Sequence, residues 1–219
     1  ELIDLVKAIQ PNCLISGRTG NHMGDYMTTG DNFIPRLPYE GDWEIPATVN
    51  DTWGFNKFDT NWKKPDDIIS RLLKIVSRGG NYLLNVGPTA EGTVPEKCVE
   101  VLDEVGKYVT ENSEAIFGTR PLGVYAYEIP GIELTGRAHK LYVHVLSPRT
   151  RIELLNIGNE LKGAYVLSTG EQLEYSTLKC CEGDGMIEVE LPEKLRSQKN
   201  FCVCLELIEE EPIFEAIKG

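Results

Sequence analysis

The amino-acid sequence predicts an α/β region followed by an all-β region. Three observations carry that reading. Up to about Gly118, apolar residues recur at helical spacing in stretches separated by short apolar runs; beyond it the period falls to two and turn dipeptides multiply. The third is Gly79-Gly80-Asn81-Tyr82-Leu83-Leu84-Asn85-Val86-Gly87-Pro88. There a helix stops at a glycine pair, a short apolar strand follows and a Gly-Pro turn ends it, which is one βα step of a barrel.

Leu2, Leu5, Val6 and Ile9 predict a first helix, stopped by Pro11-Asn12. These first ten residues lack the basic and apolar blocks of a leader and read as the inside of a fold. Cys13-Leu14-Ile15-Ser16 predicts a strand opening into Gly17-Arg18, and a loop rich in Gly, Asp, Thr and Pro follows to about Asp42. Ala47-Thr48-Val49 predicts a second strand. Pro65-Asp66-Asp67 starts a helix, because proline suits the first turn and carboxylates suit its positive end. Ile69, Leu72, Leu73 and Val76 form its apolar stripe and Gly79 ends it. After the Tyr82 to Val86 strand, Cys98, Val101, Leu102, Val105, Tyr108 and Val109 mark another amphipathic helix. A complete barrel of this kind needs eight strands in roughly 250 residues. Residues 1–118 offer about three, so the chain is expected to be the later part of a longer polypeptide or to need the rest as a partner.

From residue 119 to 219, short alternating runs occur at Val124 to Tyr127, Leu141 to Leu146, Arg151 to Leu155, Ala164 to Leu167, Met186 to Leu191 and Phe201 to Leu207. Turn signals such as Ile129-Pro130-Gly131, Ser168-Thr169-Gly170 and Gly183-Asp184-Gly185 separate them. Such spacing, without intervening helices, predicts an antiparallel β-sandwich.

A formal net charge of −12 argues against a nucleic-acid backbone as partner. No apolar run approaches the ~20 residues that span a bilayer. Six cysteines, Cys13, Cys98, Cys180, Cys181, Cys202 and Cys204, form no C-x-x-C pair and have no histidine at ligand spacing, so no metal site is expected. Cys13 and Cys98 are expected to be buried free thiols. Cys202 and Cys204 share one strand face, within reach of Cys180 or Cys181, with free thiols the expected state.

The order Trp43-Glu44, then Asn50-Asp51-Thr52-Trp53-Gly54, then the Gly79 to Gly92 segment, continued by Ser113 to Pro121, resembles the retaining α-L-fucosidases. These are glycoside hydrolases with a (β/α)8-like barrel and a C-terminal β-sandwich, and the resemblance covers about half of the chain. It implies that residues 1–118 are the C-terminal part of the barrel and 119–219 the sandwich. It further implies hydrolysis of terminal α-L-fucose from a fucosylated glycan by double displacement, with no cofactor. The missing N-terminal barrel part would be the partner, and the setting extracytoplasmic: secreted, periplasmic or lysosomal.

Retaining glycosidases use two carboxyl groups, one as nucleophile and one as acid then base. In the family that this chain resembles the nucleophile lies on an earlier strand, before residue 1, and none is assigned here. The acid/base candidate is Glu44, read as part of the loops flanking the strands. In such a pair the anionic nucleophile keeps its partner protonated before attack; esterification removes that charge and lets the same carboxylate take a proton from water. Asp31 and Glu40 are the alternatives, and Gly30 falls where some members carry a glutamate. Arg18 ends the first strand and is expected to contact sugar or nucleophile through its forked donors. His22, in the same loop, is a further substrate-binding candidate. Trp53 offers an aromatic face to the methyl group and apolar side of a deoxy sugar. Trp43 reads as packing behind Glu44, and His139 and His144 as structural. The competing function class is a non-catalytic scaffold or carbohydrate-binding fragment, inactive without the missing part.

Overall fold

The computed structural model describes residues 1–20, 23–122, 129–179 and 185–214. Its first region opens with helix α1 (Leu2–Ile9) and a parallel bridge between Ser16 and Tyr26. Strands β1 (Met27–Thr28), β2 (Trp43–Thr48) and β3 (Asn81–Asn85) then form a parallel sheet in the order β1-β2-β3. Helix α2 (Pro65–Val76) connects β2 to β3, and α3 (Glu96–Glu111) and the short α4 (Ser113–Ile116) follow β3. Proline at the first turn of α2, with Asp66 and Asp67 beside it, starts that helix as the sequence predicts.

One face of this sheet is covered. Trp43 and Ile45 pack on Ile75, while Val49 joins Ile68, Ile69, Leu73, Val101 and Tyr108 in a second cluster between the sheet and the two long helices. The glycine pair has a steric reason at Gly80, where an added Cβ would overlap the Trp43 indole. On the other face Pro46 and Thr48 are buried, but Leu83 is 51% exposed. The expectation that the first ten residues lie inside the fold is not met, because none of α1 is buried and nothing among the described residues covers its apolar stripe.

The second region contains β4 (Ile132–Arg137), β5 (Lys140–Val145), β6 (Arg151–Leu155), β7 (Leu161–Val166), β8 (Tyr175–Lys179), β9 (Gly185–Glu190), the short α5 (Glu193–Arg196) and β10 (Phe201–Leu207). They make two antiparallel sheets, β4-β5-β10-β7 and β6-β9-β8. One apolar cluster draws Leu134, Val143 and Leu205 from the first sheet and Ile152, Ile187 and Val189 from the second. β10 reads as an almost continuous apolar run because both of its faces are covered. Val203, Leu205 and Leu207 enter the shared core, whereas Cys202 and Cys204 pack with Ala115 and Tyr142 on the opposite side.

β4 and β8 have no counterpart in the sequence reading. In β4, buried Glu133 and Thr135 interrupt the apolar pattern; β8 is an edge strand with exposed Tyr175 and Leu178. The run Val124 to Tyr127 and Cys180-Cys181 lie outside the described residues. Cys98, Cys202 and Cys204 are buried free thiols, but Cys13 is only half-buried.

Polar contacts join the regions. Asn200 donates through Nδ2 to the Asp66 carbonyl and carboxylate, at 3.1 Å each, and accepts from Ser70 Oγ at 3.1 Å. Glu133 accepts from Ser77 Oγ at 2.6 Å and from Arg78 Nη1 at 2.9 Å, with both ion-pair partners almost entirely buried.

His144 is fully buried on β5, with Nε2 3.0 Å from Thr135 Oγ1. Thr135 gives its single proton to the Ala115 carbonyl, so His144 must donate through Nε2, which leaves Nδ1 as a proton acceptor without a partner among the described residues. Burial therefore pushes the His144 pKa down to about 4, against a smaller opposing effect from the Ala115 carbonyl. The unfolded chain takes up this proton near the ordinary histidine value of 6.5. Stability from neutral His144 is thus fully present above that pH and is lost as pH falls toward the folded value. The expected loss between pH 7 and 4 is about 3 kcal/mol. Urea unfolding across this range should show the wild-type stability falling more steeply than that of His144→Gln; parallel profiles would contradict the assignment.

Candidate active site

The strands run in parallel, so the sheet has two chemically different ends, and the sequence candidates divide between them. Glu44 is not in a loop. It is the second residue of β2, in register with Thr28 and Asn81. Thr28 Oγ1 donates to Glu44 Oε1 at 3.1 Å and lies 2.7 Å from Ser16 Oγ. Thr28 has one hydroxyl proton; if it goes to Glu44, Ser16 supplies the donor of the other bond. Glu44 thus ends a short hydroxyl chain at the sheet's N-terminal end, beside a cleft of about 360 Å³ that includes Leu14, Asp25, Asp42 and Asn81. Trp43 packs behind it in the core, as expected. Exposed Glu40 lies in the segment leading into β2, near the same end.

The other end collects Arg18, Asp31 and Trp53. The chain hugs β2 after β1: Thr29 N–H donates to the Glu44 carbonyl at 3.0 Å and Asn32 N–H to the Pro46 carbonyl at 2.8 Å. Between them, Asp31 projects to an ion pair with Arg18 Nη2. Asn32 adopts a left-handed backbone, φ 58°, a conformation that asparagine tolerates better than most residues. Asp31 and Arg18 are both substantially exposed, so their pairing sets geometry more than stability.

Trp53 is 42% exposed on the loop after β2. Asn85, at the end of β3, donates through Nδ2 to the Trp53 carbonyl at 2.7 Å. The loop also presses on Gly87, where a Cβ would stand 2.6 Å from the Gly54 carbonyl carbon. Asp59 staples its base, accepting from the N–H groups of Asn61 and Asp51 at 3.0 Å and from Thr52 Oγ1 at 3.2 Å. Desolvation opposes ionisation of Asp59, but these hydrogen bonds together outweigh it and hold the carboxyl below its ordinary range. Lys63 closes the end of β2, donating to the carbonyls of Thr48 at 2.6 Å and Asn50 at 2.9 Å. His22 lies outside the described residues.

The structure thus pairs two of the sequence candidates, Arg18 and Asp31, and sets Glu44 at the other end of β2; Lys63, Asn32 and Asp59, which shape the chain at the Asp31 end, have no counterpart in the sequence reading. The Asp31-Asn32 dipeptide, a turn signal beside Gly30, was the available clue to the left-handed corner. Among the described residues no group of three or more His, Cys, Asp and Glu side chains could hold a metal ion, and no helix is long and apolar enough to cross a membrane.

The family model for alpha-L-fucosidase matches residues 1–114. The alpha-L-fucosidase of Dictyostelium discoideum is 32% identical over 120 residues, which are 52% of this chain and 26% of that protein. Among solved structures, alpha-L-fucosidase isoenzyme 1 from Paenibacillus thiaminolyticus superposes with a TM-score of 0.84 at 28% identity, covering 95% of this chain and 53% of that one. The alpha-L-fucosidase from Vibrio sp. strain EJY3 gives 0.86 at 27% identity, covering 98% of this chain and 39% of that one. The chain belongs to the alpha-L-fucosidase family, a family of glycoside hydrolases. It spans about a quarter of the length of the curated Dictyostelium relative and about half, or less, of these solved structures.

Proposed function

We propose that this chain is the later part of a retaining, exo-acting α-L-fucosidase that removes terminal fucose from glycans. Residues 1–118 form the C-terminal part of a (β/α)8-like barrel and 119–219 a β-sandwich that supports it. In barrels of this class the chemistry sits at the C-terminal ends of the strands. The observation that carries the reading is the collection of the Arg18–Asp31 pair and the Trp53 loop at that end of the parallel sheet. Asp31 is the acid/base, Arg18 orients it, and Trp53 covers the apolar side of the sugar. Glu44, at the opposite end, supports the sheet through Thr28. His22, four residues after Arg18 in the sequence, is a further proposed substrate-binding residue.

The nucleophile comes from the remainder of the barrel. The exposed stripe of α1 and exposed Leu83 suit burial against that remainder. On this reading the isolated 219-residue chain is inactive and the sandwich has the support role within an enzyme; the alternative remains a non-catalytic scaffold or carbohydrate-binding fragment.

Stereochemistry provides the test. With the full-length protein and an aryl α-L-fucoside, proton NMR should show α-fucose as the first-formed product. First appearance of the β-anomer would overturn double displacement, and turnover by the isolated chain would overturn the shared site.

A further inference from the structure

A second groove, of about 460 Å³, opens between α2 and the segment that follows β1. Asn32, Lys63, Asp67, Ser70, Arg71 and Lys74 line it. It shares a corner with the candidate site. The left-handed turn at Asn32 sends Asp31 toward Arg18, whereas Asn32 Oδ1 accepts from Thr48 N–H at 3.4 Å and forms part of the groove wall.

The charge in this groove runs against that of the molecule. The chain carries 34 Asp and Glu against 22 Lys and Arg, yet three cations line this groove with one carboxylate, Asp67. Among the described residues neither Arg71 nor Lys74 forms an ion pair; Arg71 Nη1 donates to the Asn32 carbonyl at 3.5 Å. Lys63 feels its neighbour: burial first, then the Arg71 guanidinium, push its pKa down, against the pull of Asp51 and Asp59. An ordinary solvated helix face would spread such charges into water. Lys63, in the segment just before α2, commits its ammonium to Thr48 and Asn50, whereas Arg71 and Lys74, one turn apart on α2, line the hollow beside it. A bound oxyanion relieves their repulsion, and a guanidinium fork matches the paired oxygens of a carboxylate or sulfate.

We infer that this groove holds an anionic substituent, a sulfate ester or a carboxylate, on a sugar of the glycan beyond its terminal residue. The inference rests on the fucosidase reading for the identity of the glycan, and it specifies the substrate as an acidic one.

Isothermal titration of the full-length protein with galactose 6-sulfate, galacturonate and neutral galactose tests it. Binding of at least one of the two anionic sugars is expected, weakening as salt rises, with no comparable binding of galactose. Preference between the two identifies the substituent. The double variant Arg71→Gln/Lys74→Gln, checked for an unchanged unfolding midpoint, should lose affinity about tenfold or more, and Arg71→Lys should lose less. Lys97→Gln, an exposed cation on α3, should bind as wild type. Anionic and neutral sugars binding alike, or equal affinity in the double variant, would overturn the inference. A parallel assay with a neutral aryl α-L-fucoside keeps the two questions apart: no hydrolysis would sink the fucosidase assignment, while the titration alone decides whether the groove takes an anion.

Discussion

Asp31→Asn, made in the full-length protein, is expected to lower kcat/KM for a fucosyl disaccharide by about 10²- to 10⁴-fold, the range that a positioned general acid contributes. A sugar alkoxide is a poor leaving group and needs its proton in the transition state. A nitrophenolate does not, so hydrolysis of the activated aryl fucoside should fall much less through the first half-reaction. Glu44→Gln provides the contrast. Glutamine keeps an acceptor for the Thr28 hydroxyl, and the residue sits at the sheet's N-terminal end, so neither substrate should be appreciably affected. The reverse pattern, with leaving-group-dependent loss in Glu44→Gln and none in Asp31→Asn, would move the acid to Glu44 and refute the assignment made from strand direction.

Glu133→Ala is expected to destabilise the protein by about 3 kcal/mol or more, near the lower end of the range for breaking a buried ion pair. Glu133 is 7% exposed and Arg78 9%. Loss of the carboxylate removes a buried ion-pair partner of the guanidinium, which neutral acceptors such as the carbonyls of Lys74, at 2.5 Å, and Arg36, at 3.2 Å, do not replace. Ser77 loses the 2.6 Å bond to Glu133 and keeps the Lys74 carbonyl, at 3.0 Å, as acceptor. The double replacement Arg78→Met/Glu133→Leu should recover most of the loss, because no charge then remains to be desolvated. By comparison, Glu153→Ala, which breaks an exposed pair with Arg151 at 2.8 Å, should cost about 1 kcal/mol or less. Urea midpoints measure all three. Equal effects of Glu133→Ala and Glu153→Ala would mean that the contact between the regions is energetically idle.

Where one rule governed a segment, the element was legible in the sequence. α2 declares itself through Pro65, two carboxylates and an apolar stripe; β3 through a glycine pair and an apolar run; β5 and β10 through period-two residues entering a shared core. Where two environments met, the pattern blurred. β4 carries Glu133 and Thr135 on a face that is buried but polar, since Ser77, Arg78 and His144 wait opposite. β1 is only two residues long and gave no periodic signal. Trp43-Glu44 reads as loop in the sequence, yet the two residues open β2, which runs on through Pro46, whose carbonyl accepts from Asn32 N–H.

The same distinction runs through the candidate site. Residue types and order alone determined the fucosidase family, the switch from helical to alternating period, and a short set of polar candidates that included Arg18, Asp31, Glu44 and Trp53. Strand direction and register were not in that information, because a carboxylate reads identically at either end of a parallel strand. Only the tertiary structure decided that Glu44 begins β2 while Asp31 meets Arg18 beyond β1, and that Asn32, distant in sequence from Arg71 and Lys74, lines one hollow with them. Which side chains share a solvent, a field and a reach is a property of the packed chain, and local sequence encodes it only through the fold.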